Sequence, residues 1–127
     1  MVDRILLVED NDMLQEILSA RLEIKGFDVT IASDGREAVD FAFSLKPDII
    51  LMDMSLPYLN GWEATKIIRE NEETTHIPII ALTAHALMTD KQRGLDAGCN
   101  DYLTKPVNFD KLVSKIHKLT GVKSIEN

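Results

Sequence analysis

Cysteine is almost missing from this chain: Cys99 is the single one among 127 residues. One thiol makes no internal disulfide, so the fold must rest on its core, and a reducing, cytoplasmic setting is expected. Positive charge is also short. Lys and Arg number 14 against 21 Asp and Glu, a net charge of −7, and no Lys/Arg cluster forms a stripe. No direct nucleic-acid binding is expected from such a surface. Long apolar runs are missing too, every one falling far short of the roughly 18 residues a membrane span needs. The chain does not open on a positive start, a hydrophobic core and a small-residue cleavage site, so neither leader nor membrane association is expected. There is no repeat and no low-complexity segment. What remains, 45% hydrophobic and 28% charged, describes one globular domain large enough for a real core. Only six residues follow Gly121, so residues 1–127 are expected to be a single domain with no output domain attached.

Strand-length and helix-length patterns alternate. "RILLVE" (4–9) is continuously apolar, and "DMLQEILSARLEIKG" (12–26) carries Leu14, Ile17, Leu18 and Leu22 at helical spacing, with Gly26 as a stop. "FDVTIA" (27–32) alternates like a half-exposed strand, and "GREAVDFAFSL" (35–45) is helical up to Lys46-Pro47. "DIILMD" (48–53) and "IPIIALT" (77–83) read as strands around a helix at 62–71. A weaker helix runs from Leu87 to Ala97, then a short strand at 101–105 and a final helix at 109–121. Five strands alternating with five helices imply a doubly wound parallel α/β sheet. The first and third strands, the most continuously apolar, belong at its centre, and the second and fifth at its edges.

In such a sheet the C-terminal strand ends share one edge, where ligands bind. Glu9 and Asp10 follow the first strand, Asp53 the third, Thr83 the fourth and Lys105 the fifth. Each has an ordinary reading in isolation. Glu9 and Asp10 suit a helix cap, Asp53 a turn-initiating residue, Thr83 a strand end and Lys105 a solvated charge. Together they converge on one cluster. Three carboxylates repel, and one lysine does not balance them. Mg²⁺ fits the deficit, because it binds one or two carboxylates, keeps waters and leaves room for phosphate oxygens. No Cys/His spacing suggests zinc. His76, His85 and His117 fall on different elements, and His85 alone is close enough to Thr83 to rim the cluster.

The motifs "LLVEDN", "DIILMDMSLPYLNG", "ALTA" and "YLTKP", in that order and over nearly the whole chain, resemble the receiver domain of two-component response regulators. The resemblance implies a flavodoxin-like strand order of 2-1-3-4-5 and Asp53 as phosphoacceptor. It implies Mg²⁺ held by Asp10, Asp53 and the Met54 backbone carbonyl, with Glu9 acting through water. Thr83 and Lys105 would hold phosphoryl oxygens, Lys105-Pro106 would be cis, and Tyr102 would be the switch aromatic beside Thr83. The donor would be a phosphohistidine on a sensor histidine kinase or a histidine phosphotransfer protein. The downstream protein partner is not legible. Glu9-Asp10 replaces the family's commoner Asp-Asp pair, and Ser55 occupies the position that influences how water reaches the acyl phosphate. A flavodoxin-like nucleotide binder and a Mg²⁺-dependent aspartyl-phosphate phosphohydrolase are the alternatives. The first needs a Gly-rich phosphate loop where "EDND" stands; the second usually carries an Asp where Ser55 stands.

Overall fold

Each apolar run forms a strand where the pattern places one. The computed structural model describes residues 3–56, 59–84 and 97–121. In chain order its elements are β1 (Arg4–Val8), α1 (Asp12–Ile24), β2 (Asp28–Ala32), α2 (Gly35–Leu45), β3 (Ile49–Asp53), α3 (Gly61–Glu70), β4 (Ile79–Thr83), β5 (Asp101–Thr104) and α4 (Phe109–Thr120). All strand pairs are parallel, in the order β2-β1-β3-β4-β5. The helix expected from Leu87 lies, up to residue 96, outside the described residues, as does His85. Four helices are therefore described. Among the described residues no helix is long and apolar enough to cross a membrane.

Side chains alternate between the two faces of a strand, and here the alternation builds two cores. Leu6, Val8, Ile50, Met52, Ile79 and Ala81 face Ala38 and Ala42 of α2 and Ala64 and Ile68 of α3. Ile5, Leu7, Ile49, Leu51, Ile80, Leu82 and Leu103 face Leu18 and Leu22 of α1 and Leu112 and Ile116 of α4. The half-exposed β2 and the four-residue β5 lie at the edges, as their patterns indicate.

All four helices start on an Asn or Asp side chain that accepts a backbone N–H of the first turn: Asn11, Asp34, Asn60 and Asn108. Asn60 and Glu63 form a full capping box, satisfying donors that the helix itself leaves orphaned. The cap of α1 is thus Asn11, which leaves Glu9 and Asp10 free of that duty. Gly61 opens α3 hard against the end of β3, where an added Cβ would meet the Asp53 carbonyl oxygen at 2.5 Å and Met54 Sδ at 2.8 Å. Any larger residue there would push α3 off the loop that carries Asp53.

Candidate functional site

Strand β3 is buried along its whole length. Fully burying each aliphatic side chain there stabilises the fold by roughly 1.5–3 kcal/mol, so β3 holds its last residue firmly in place. That residue is Asp53, only 2% exposed. Its Oδ1 accepts the Ser55 backbone N–H at 3.0 Å, and its Oδ2 lies 3.2 Å from Lys105 Nζ. The turn-initiating reading is correct as far as Oδ1 goes. The other oxygen belongs to the cluster.

Glu9, just past β1, is 1% exposed. Its Oε1 accepts from Lys105 Nζ at 2.9 Å and its Oε2 from the Asn11 backbone N–H at 3.2 Å. The Gln15 side-chain amide donates to the Glu9 carbonyl. Asp10 is exposed, and one carboxylate oxygen each from Glu9, Asp10 and Asp53 fall within 4.8 Å of one another. Charges at that spacing repel by roughly 3 kcal/mol per pair at an effective dielectric of ~20. Burial raises the Glu9 carboxyl above its ordinary pKa against the opposing hydrogen bond from Lys105, and the Asp53 charge adds to the rise. For Lys105, burial works to lower the pKa. The Glu9 hydrogen bond and the Asp53 charge outweigh it, so the ammonium is held above its ordinary value.

Lys105 is fixed through its backbone as well, where its N–H donates to the Thr83 carbonyl at 2.7 Å; the Lys105-Pro106 bond is cis. Thr83 ends β4 and is 6% exposed. Tyr102, paired with Ala81, stands on the same sheet face as Thr83, two positions earlier on the neighbouring strand. It is half-buried against the core that contains Ala81 and Met54. The Met54 carbonyl accepts the Gly61 N–H at a long 3.4 Å. Glu9, Asp10, Asp53, Thr83 and Lys105 therefore gather at one sheet edge, and Tyr102 lies two positions back along β5. Their donors to a metal are all oxygens, three of them carboxylates facing one ammonium. That set fits Mg²⁺ and does not fit a soft metal.

Sequence reasoning missed two features. The direct bond between Glu9 and Lys105 was not foreseen, because it depends on side-chain reach across two intervening strands. Nor was the fixing of Arg69, whose guanidinium donates to the carbonyls of Gly98 (2.8 Å), Thr75 (3.0 Å) and Ile77 (2.6 Å) and to Asn100 Oδ1 (2.8 Å). Only the capping box at Asn60-x-x-Glu63 left a readable signal of how α3 is anchored beside Asp53.

The family model for the response regulator receiver domain matches residues 5–117. The chain is 46% identical over 130 residues to hybrid signal transduction histidine kinase I of Dictyostelium discoideum, covering 97% of this chain and 7% of that protein. It thus spans a small part of that relative's length. Among solved structures, it is similar to the receiver domain of sensor histidine kinase PA1611 from Pseudomonas aeruginosa PAO1, which has a magnesium ion coordinated in its active-site cleft. That match has 44% identity, a TM-score of 0.89, and coverage of 95% of this chain and 99% of that one. It is also similar to the Saccharomyces cerevisiae Ssk1 receiver domain, co-crystallised with the histidine phosphotransfer protein Ypd1. There the identity is 38%, the TM-score 0.89, and the coverage 94% and 90%. With the five-stranded order and the acidic edge agreeing, this chain belongs to the response regulator receiver domain family.

Proposed function

We propose that this protein is a phosphorylation-controlled signalling switch that accepts a phosphoryl group on Asp53 from a phosphohistidine. The donor is a sensor histidine kinase or a histidine phosphotransfer protein, in keeping with the partner co-crystallised with the Ssk1 receiver domain. The observation that carries this reading is a 2%-exposed carboxylate at the end of β3 with an ammonium 3.2 Å away and two further acids beside it. An Asp53 oxygen forms the new O–P bond while the N–P bond of the donor breaks, and the departing imidazole takes a proton from solvent. Phosphoryl transfer is loose and charge-dominated, so the site chiefly positions groups and neutralises oxygens. Mg²⁺ supplies that neutralisation when bound; Asp10, Asp53 and the Met54 carbonyl would hold it, with Glu9 outside the direct ligand set. Lys105 would meet a phosphoryl oxygen as a point charge.

Thr83 would then move toward a phosphoryl oxygen, changing the room beside Tyr102 on the same face. A phosphoryl group shifts that two-position element only by its differential affinity for the two arrangements. The surface altered would be that around β5 and α4, read by a downstream protein. The protein acts as a phosphoacceptor in the cytoplasm rather than as an enzyme on a separate substrate.

The test is incubation with acetyl phosphate and Mg²⁺. A mass gain of one phosphoryl per chain, labile to hydroxylamine and lost in Asp53→Asn, is expected. Stoichiometric labelling of Asp53→Asn at another residue would overturn the assignment.

A further inference from the structure

The sheet order puts β1 and β5 three strands apart, about 14 Å at the usual interstrand spacing. Yet Glu9, beyond β1, and Lys105, beyond β5, meet at 2.9 Å above the end of β3. They meet because both continue the same alternating face: Glu9 follows Leu7, Asp53 follows Leu51 and Lys105 follows Leu103, each by two residues. Reach matters as well. An aspartate at position 9 would withdraw its oxygens by about one C–C bond, roughly 1.5 Å, enough to break a 2.9 Å contact.

Glu9 is itself immobilised. Its second oxygen holds the Asn11 N–H, its carbonyl accepts from Gln15, whose amide also reaches Ser33 Oγ, and its N–H donates to the Ala32 carbonyl. Lys105, by contrast, carries its charge on a four-carbon stem that is free to rotate unless something holds the far end. Its ammonium has three donors. One goes to Glu9 and one toward Asp53, leaving the third for an incoming oxygen.

We infer that Glu9 is the positioning residue for Lys105, a buried acid that draws the ammonium across the sheet end and holds it against Asp53. Its contribution to phosphorylation then runs through Lys105 rather than through the metal. This rests on the reading of Asp53 as phosphoacceptor and adds to it a division of labour among the three acids. Asp10, exposed, serves the cation; Glu9, buried with both oxygens engaged, serves the lysine.

The test uses Glu9→Ala, Glu9→Gln, Lys105→Ala and the double variant Glu9→Ala/Lys105→Ala. Side-chain NMR relaxation of Lys105 in metal-free, unphosphorylated protein reads the positioning directly. Order at Lys105 should be lost in Glu9→Ala and largely kept in Glu9→Gln, which retains the reach and an acceptor oxygen. Phosphorylation by phosphoramidate should slow by about tenfold or more in Glu9→Ala, and the double variant should be no slower than Lys105→Ala alone. Mg²⁺ affinity by calorimetry should fall clearly less in Glu9→Ala than in Asp10→Ala, because only Asp10 is a direct ligand in this reading. Unchanged Lys105 order in Glu9→Ala, multiplying losses in the double variant, or a Mg²⁺ loss as large as that of Asp10→Ala would each overturn the inference. Undiminished labelling of Asp53→Asn would instead overturn the phosphoacceptor reading, and the Lys105 order measurement would stand apart from it.

Discussion

The two ends of the sheet treat buried charge in opposite ways. At the N-terminal edge Arg69, near the end of α3, directs its guanidinium at three backbone carbonyls and one Asn side chain. No acid is among those four acceptors, and burial lowers the pKa of the group below its ordinary value. Asn100 completes the arrangement by accepting the Ile79 N–H and donating its own N–H to the Ile79 carbonyl, so the starts of β4 and β5 are tied together. That charge is matched by neutral dipoles and asks for nothing further. At the C-terminal edge three carboxylates cluster and two of them pair with one ammonium, a surplus of negative charge that a divalent cation would neutralise ahead of an incoming phosphoryl group. One edge is a fastening. The other is a site.

Arg69→Ala should give the largest change in stability, about 2–3 kcal/mol lost, because four acceptors, two of them in part-buried bonds, lose a charged donor together. Urea denaturation checks this, and Mg²⁺ affinity should stay as in the wild type. A large fall in Mg²⁺ affinity would mean the two edges are not separable.

Thr83→Ala should leave phosphorylation of Asp53 largely intact, since Lys105 remains, while removing most of a phosphorylation-dependent gain in partner affinity worth about 1–3 kcal/mol. Partner affinity with and without phosphorylation, in wild type and variant, measures it. An undiminished gain would show that the signal leaves by another route.

Asp10→Ala should weaken Mg²⁺ binding by about tenfold or more, roughly 1.4 kcal/mol, with little change in metal-free stability because Asp10 is exposed. In the wild type, Mg²⁺ at a hundredfold excess over its Kd should add about 2.7 kcal/mol of stability. Equal losses of Mg²⁺ affinity from Asp10→Ala and Glu9→Ala would erase the distinction between the exposed acid and the buried one.

The smallest effect belongs to Cys99, buried beside Arg69, with its thiol 3.9 Å from Thr65 Oγ1. Burial pushes that thiol from its ordinary 9.0 up to about 11, against the Thr65 hydrogen bond and the Arg69 charge. A raised acid pKa favours the folded state below the unfolded value, and that contribution is lost as pH climbs from 9 toward 11. Across that window the loss should be on the order of 1 kcal/mol, read as the difference in pH slope between wild type and Cys99→Ala. Identical slopes would contradict it.

Much of this was legible beforehand, for a physical reason. Central and edge placement followed from how continuously each run is apolar: β1 and β3 are buried on both faces and central, while Asp28 and Thr30 in β2 mark an edge; the full strand order came from the family resemblance. The site was legible because parallel strands bring their C-terminal ends to one edge whatever lies between them in sequence. Arg69 was not, because "KIIRE" on a helix reads as a surface charge and its acceptors are backbone carbonyls, which have no sequence signature. Glu9 was placed in the cluster but assigned to water around a metal. Its bond to Lys105 depends on side-chain reach across β3 and β4, and periodicity is silent about that.

The central claim is that Asp53, the least exposed acid of the C-terminal edge after Glu9, is where the phosphoryl group goes. Borohydride reduction of the phosphorylated protein, followed by peptide mass mapping, tests this directly, because an aspartyl phosphate is reduced to homoserine. Conversion at residue 53 alone, dependent on Mg²⁺, is the predicted result. Conversion at Asp10 or Glu9, or none in protein that carries the phosphoryl mass, would contradict it.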